Sequence, residues 1–221
     1  VHMAMSGILS LLLASVVYLG LAGLDVALAG EQILQGFYNS FILLAVPLFI
    51  VAANIMNAGS ITDRLLDFCV AAVGRFKGGL GHVNVVASLI FSGMSGSAVA
   101  DAAGIGKIII SMMARDGRYS RGYAAAITAA SATIGPIIPP SIPMVLYALV
   151  SKASIGSLFL AGILPGLIMG AVLILMNGYL ARKRGFALEE PVPLRDLPRK
   201  TANAFPALLM PVIPVSYTHL T

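Results

Sequence analysis

Charged residues cut the chain into long apolar stretches. None falls within 1–24, 32–62, 78–100, 122–151 or 153–181. A membrane-spanning helix needs roughly 20 apolar residues. The pattern therefore predicts spans over about 4–23, 38–57, 123–149 and 157–180. The stretch 78–100 is long enough, but the run Ser92-Gly93-Met94-Ser95-Gly96-Ser97 is wrong for a simple span. Between the second span and that stretch, Asp63, Arg64, Asp67, Arg75 and Lys77 alternate with Ile61, Leu65, Phe68, Cys69, Ala72 and Phe76. That alternation predicts an amphipathic helix over 61–77 at the inner interface, with Ser60 as its N-cap and Asp63 at its positive start. The chain enters its first apolar run almost at once, without a basic segment ahead of it. No cleaved signal peptide is expected, and the chain reads as starting inside its first helix.

The basic residues set the orientation, because short cytoplasmic loops collect Lys and Arg. They cluster at Arg64, Arg75 and Lys77, at Arg115, Arg118 and Arg121, and at Arg182, Lys183, Arg184, Arg195, Arg199 and Lys200. Asp25 and Glu31 are the only charges between the first two spans, so that loop reads as outside. All three basic clusters lie inside only if an even number of crossings separates them. The interval 78–114 is too short for two full spans and turn, yet one span would put Arg115–Arg121 outside. A re-entrant helical hairpin over 80–114 resolves the conflict, turning near mid-membrane around Ser92–Ser97; a cytoplasmic loop with a poor second helix is the plainer alternative. Its polar turn must be buried in protein or line a wet cavity, since lipid satisfies no backbone group. Gly96, Ala100 and Gly104, and likewise Ala98, Ala102 and Gly106, give it the small-residue spacing of close helix packing. Gly162, Gly166 and Gly170 repeat that spacing, read as bundle packing.

The span over 123–149 is interrupted. Thr128, Ser131, Thr133 and Gly135 lead into Pro136-Ile137-Ile138-Pro139-Pro140-Ser141. The prolines lack N–H donors and push the residue before them out of the helical region. The helix must unwind near 134–141. A simple proline kink is the plainer alternative.

Composition then narrows the class. The chain has 221 residues, 58% hydrophobic and 10% charged. A soluble domain carries roughly 25% charged residues, so soluble, disordered, collagenous and nucleic-acid-binding readings fail. The net charge of +5 is explained by the inside loops. One cysteine, Cys69, excludes a disulfide framework and a Cys-based metal cluster. No Walker-type Gly-x-x-x-x-Gly-Lys-Ser/Thr segment is present, so an ATP-driven pump has no support.

Two interrupted elements at similar depth, 92–101 and 131–141, mark a secondary-transporter site. Unwound carbonyls with Ser and Thr hydroxyls suit a hard cation such as Na⁺, and half-helix N-termini suit a carboxylate. Asp101 is an intramembrane charge and therefore a functional candidate; the alternative makes it an N-cap or a partner of Lys107. A protease reading starts from Gly93-Met94-Ser95-Gly96. It needs a His within reach of the serine, and His2, His82 and His219 are poorly placed for that.

Several of these segments resemble one family. Gly93-Met94-Ser95-Gly96-Ser97-Ala98-Val99-Ala100-Asp101-Ala102 and Ile134-Gly135-Pro136-Ile137-Ile138-Pro139-Pro140-Ser141-Ile142, with Met144-Val145 after it, are similar to the large membrane subunit of tripartite ATP-independent periplasmic (TRAP) transporters, the DctM-like family. Pro47–Ile50, Gly79–Val85 and Leu158–Gly166 look like it too, so the resemblance runs over roughly 3–214.

The resemblance implies an all-α polytopic membrane protein, one half of an elevator-type member of the ion-transporter superfamily, in the bacterial inner membrane. It implies a small membrane subunit and a periplasmic substrate-binding protein as partners. It also implies Na⁺ as coupling ion and an organic acid as cargo, a C4-dicarboxylate or a sialic-acid-like molecule. Ion- or substrate-binding candidates are Ser95, Gly96, Ser97 and Asp101 in the hairpin and Thr133, Gly135, Pro136 and Ser141 in the broken helix. Ser95, Ser97 and Gly135 are expected nearest a Na⁺.

The expected organisation has four parts. Residues 1–79 are scaffold-like, with two spans and the interfacial helix. Residues 80–150 are transport-domain-like, with hairpin and broken helix. Residues 151–200 hold a span and a basic linker. Residues 201–221 begin a further segment whose end, Ser216–Thr221, breaks an apolar run and reads as truncated or artefactual. A channel-like or structural membrane protein is the main rival function, an intramembrane serine protease the remote one.

Overall fold

The computed structural model describes residues 2–23, 61–115, 117, 119–186 and 197–209, with isolated positions between 25 and 51. The span expected over 38–57 and the N-cap Ser60 lie outside the described residues. Two compact units divide the chain at Leu44 and Ala45. In the first, helix α1 (His2–Leu21) runs for 20 uncharged residues. Its described side chains from Leu9 onward are almost all exposed, and most of the large ones are aliphatic.

The second unit holds all the interruptions. Helix α2 (Ile61–Val73) buries Leu65, Leu66 and Cys69 and turns Asp63, Arg64 and Asp67 outward. It stops at Val73, short of position 77, with the Gly74 N–H still donating to the Val70 carbonyl at 2.9 Å. Gly78, with φ +74°, then admits a sharp change of direction into α3 (Gly79–Ser95). α3 ends at Gly96, whose φ of +59° and N–H bond to the Ser92 carbonyl form a left-handed C-terminal cap.

The chain returns through a short helix α4 (Ala98–Asp101), a π-helical turn (Ala102–Gly106) and α5 (Lys107–Arg115). These pack back along α3, so 79–115 is a helical hairpin with its tip at Gly96 and Ser97. Next comes α6 (Arg121–Ala132), capped by Ser120, whose hydroxyl accepts from the Tyr123 N–H. Residues 133–141 are unwound, and α7 (Ile142–Ser151) resumes with Ser141 as its cap. The break is therefore real and nine residues wide in the chain's own numbering, 133–141.

Helix α8 (Ile155–Lys183) is 29 residues long. Among the described residues it is the helix long and apolar enough to cross a membrane. Leu164, Leu167, Ile168, Val172 and Leu175 are exposed on it; so large an apolar surface needs a covering that is not water. Gly162, Gly166 and Gly170 are buried. A Cβ on them would fall 2.4 Å from the Ile137 carbonyl oxygen, 2.3 Å from the Ile138 side chain and 2.7 Å from that of Leu89. The small-residue stripe thus packs the break and the first hairpin limb against α8, as bundle packing requires. Helix α9 (Leu197–Leu209) packs along α2. The core is one cluster built from α2, the hairpin and α6, including Leu65, Val83, Phe91, Ile105, Ile109 and Ile127.

Candidate functional site

The hairpin tip sits in the break of the α6–α7 segment. The Ile142 N–H donates to the Gly96 carbonyl oxygen at 3.3 Å. A Cβ on Gly96 would stand 2.3 Å from the Pro140 carbonyl oxygen. A Cβ on Gly135 would stand 3.1 Å from both Ala98 N and the Ser97 carbonyl carbon. Gly96 is therefore required twice over, by its own left-handed backbone and by the closeness of the opposing backbone, while at Gly135 the opposing backbone alone leaves little room for a side chain.

Ser95 and Ser97 flank that junction. Ser95 is buried, and its hydroxyl oxygen accepts from the Ser97 N–H at 3.4 Å. Ser97 is half-buried and caps α4, accepting from the Ala100 N–H at 3.3 Å. Both hydroxyl oxygens retain acceptor capacity beyond those single bonds. Across the junction, the donor that a continuous helix would send to the Gly135 carbonyl belongs to residue 139, which is proline. Pro136 is differently placed: its carbonyl accepts the Ser141 hydroxyl at 2.5 Å. Ser141 is fully buried and also accepts from the Met144 N–H at 3.2 Å, so it holds the break in shape. The peptide between Pro139 and Pro140 is cis.

Thr133 stands apart. It is exposed, and its hydroxyl donates back to the Ala130 carbonyl at 2.6 Å. Asp101 is brought to the hairpin interior, 1% exposed, with no hydrogen-bond partner for either carboxylate oxygen among the described residues. It is not paired with Lys107, which is exposed. The Ser88 hydroxyl faces Asp101 but donates to Ser131 at 3.1 Å. The Ser92 hydroxyl, also buried, has no partner among the described residues.

Two polar groupings gave no motif in the sequence. Asn84 on α3 donates to the Thr128 hydroxyl at 2.6 Å and accepts from the Ser131 hydroxyl at 2.9 Å, and Ser88 joins through Ser131. All four side chains are buried, so this column ties the first hairpin limb to α6 inside an apolar core. The second grouping lies at the other end of α3. Asn177 on α8 donates to the Gly78 carbonyl at 3.1 Å and accepts the Tyr123 hydroxyl proton. One buried amide thus holds the start of the hairpin and the start of α6 to α8. The available signal was a lone Asn within each of two apolar runs. His82, in the first turn of α3, is about 20 Å from Ser95 by helix rise, so it is not a base for that serine.

Arranged this way, the junction offers hydroxyl and carbonyl oxygens to a small hard cation. It offers no cluster of three or more His, Cys, Asp or Glu for a transition metal among the described residues.

Over its whole length, residues 1–221, the chain matches the family described as "Tripartite ATP-independent periplasmic transporter, DctM component". It is 47% identical over 185 residues to the sialic acid TRAP transporter large permease protein SiaM of Vibrio cholerae, covering 84% of this chain and 43% of that protein. To the 2,3-diketo-L-gulonate TRAP transporter large permease protein YiaN of Escherichia coli it is 39% identical, over 86% of this chain and 44% of that protein. To the C4-dicarboxylate TRAP transporter large permease protein DctM of Vibrio cholerae it is 36% identical, over 93% and 45%. The chain spans less than half the length of these three relatives.

Proposed function

This chain belongs to the DctM component family of tripartite ATP-independent periplasmic transporters, and on that premise we propose that it is half of a Na⁺-coupled organic-acid permease. In this reading the hairpin re-enters the inner membrane from the cytoplasm and carries the cargo site at its tip. A periplasmic binding protein delivers the substrate, and a small membrane subunit completes the assembly. The substrate is a carboxylate-bearing organic acid, C4-dicarboxylate or sialic-acid-like, in line with the names of the relatives. Transport, not catalysis, fits a junction whose polar atoms include no nucleophile with a base.

The observation that carries the proposal is the seating of Gly96–Ala98 against Gly135 and Pro140. It brings the Ser95 and Ser97 hydroxyls to a backbone whose Gly135 carbonyl lacks its helical donor. A Na⁺ bound there would be shared by two elements 40 residues apart in sequence, about the separation of 95 and 135. Cation binding then stabilises the docked tip, and substrate and ion are linked through the same structure.

The test uses the complete transporter with its partners. Ser97→Ala removes one ligand oxygen without adding bulk, and Thr133→Ala serves as control. Ser97→Ala should raise the Na⁺ concentration for half-maximal uptake about tenfold, the effect of about 1.4 kcal/mol, with substrate affinity of the binding protein unchanged. Thr133→Ala should leave it within about twofold. Normal Na⁺ dependence in Ser97→Ala and Ser95→Ala alike would remove this site and leave Asp101, with a proton as coupling ion, as the next candidate. A channel would carry Na⁺ without substrate; a coupled permease requires both.

A further inference from the structure

A cavity of about 780 Å³ lies far from the junction, between the α2–α3 connection and the last turns of α8. Arg75, Lys77 and Arg182 line it, with His82, Phe76 and Tyr179, and among the described residues no acidic one does. Among the described residues none of the three cations forms an ion pair; the pair there joins Lys200 to the exposed Asp67. Three like charges around one concavity repel one another and concentrate anions. The Arg75 guanidinium lies 5.3 Å from the Phe76 ring centroid, which keeps it beside the cavity wall.

The walls next to these charges are apolar. Val73, Ile174 and Leu175 line the cavity, and the exposed residues Leu164, Ile168, Val172, Leu175 and Tyr179 continue away from it along one face of α8. Their spacing of four, four, three and four keeps them on one stripe. From Tyr179 to Leu164 the stripe runs about 22 Å, longer than half of a hydrocarbon core of roughly 30 Å. A cationic mouth at the inner interface, continued by an apolar track of acyl-chain length, matches a molecule with an anionic head and long tails. A soluble phosphate would use only the mouth.

We propose that this cavity is a binding site for an anionic phospholipid, its phosphodiester held by Arg75, Lys77 and Arg182 and its acyl chains laid along the Leu164–Tyr179 face of α8. The site is independent of the Na⁺ junction. It ties the hairpin entrance to the inner leaflet, because His82 and the Gly78 turn that Asn177 holds lie at the same end of α3.

The complete transporter, delipidated in detergent, is titrated with phosphatidylglycerol, phosphatidylcholine or inorganic phosphate, and bound lipid is counted by native mass spectrometry. Phosphatidylglycerol should be retained at least about fivefold over phosphatidylcholine. Arg75→Gln, Lys77→Gln and Arg182→Gln together should abolish that preference. Removal of equal charge at Lys107, Arg115 and Arg121 should keep it. Should the triple variant not fold, Lys77→Gln alone must still lower the preference. Tyr179→Cys should react with a maleimide in the lipid-free complex and be protected by phosphatidylglycerol. Equal retention of the two lipids, displacement by millimolar inorganic phosphate, or an unreactive Tyr179→Cys without lipid would overturn the proposal; the last outcome would mean that a protein segment covers the cavity.

Discussion

The Gly96 carbonyl oxygen accepts the Ile142 N–H at 3.3 Å, so the first residue of α7 is bonded to the tip of a hairpin that precedes it in the chain. Ile142 lies at the point where the helix restarts, and its N–H would have no helical acceptor. Gly96 supplies one. The junction is thus bridged by a backbone hydrogen bond, which no side-chain substitution removes directly, whereas added bulk at the glycines would separate it.

Gly96→Ala is therefore expected to be among the most damaging small changes in the chain. The positive φ costs a non-glycine residue about 1 kcal/mol, and the new methyl would lie 2.3 Å from the Pro140 carbonyl oxygen. Uptake by the complete transporter should fall at least about tenfold while helix content by circular dichroism stays unchanged. Gly135→Val should act similarly, by pushing Ser97 and Ala98 away.

Asn177→Leu tests the latch. It strands the buried Tyr123 hydroxyl and the Gly78 carbonyl, at a cost of about 1–3 kcal/mol. Leucine has nearly the shape of asparagine, so the change removes the hydrogen bonds with little change in bulk. The thermal midpoint in detergent should drop by several degrees. An unchanged midpoint would show that the latch contributes nothing.

Asn84→Ala should destabilise more than Ser88→Ala. Asn84 serves two partners, Thr128 and Ser131, whereas Ser88 is joined to the column through Ser131 alone. The expected difference is about 1 kcal/mol, read from urea midpoints of the two variants.

Labelling tests the topology. Cys69 is fully buried, and burial pushes its thiol up to about 12, so at neutral pH it is protonated and unreactive. It should take up maleimide only after denaturation. In a Cys69→Ala background, which leaves no hydroxyl in the apolar core, Leu80→Cys and Arg118→Cys should both label from the cytoplasmic face. Labelling of position 118 from the periplasm would refute the re-entrant hairpin.

The two discontinuities were legible because they are written in residues with strong local physics. Gly96 ends a helix, Pro136, Pro139 and Pro140 cannot continue one, and the placement of Arg115 and Arg121 forbids a simple crossing. Thr133 was harder to place: grouped with Thr128 and Ser131 by composition, it sits five residues after Thr128, about 140° round a helix, and so faces away from both. The column and the latch were not legible. Asn84 finds Thr128 forty-four residues away and Asn177 finds Gly78 ninety-nine away. No periodicity or turn signal encodes such a meeting, and a polar residue alone in an apolar run announces only that it needs some partner. The end of α2 at Val73, ahead of Gly74 and the left-handed Gly78, follows the poor helix propensity of glycine rather than the charge pattern that ran on to Lys77.

The seating of the tip also fixes an order of assembly. A ribosome releases residues 79–101 well before residues 135–142, with about 45 positions between Gly96 and Ile142, a lag of several seconds at ordinary rates. During that lag the socket for the tip has not been made, and the Ser95-Gly96-Ser97 turn has neither Pro140 nor Ile142 to lean on. A hairpin that pushed into lipid at once would leave those groups bare. In the re-entrant reading proposed above, the tip therefore has its backbone partners in lipid only once the proline segment has been made.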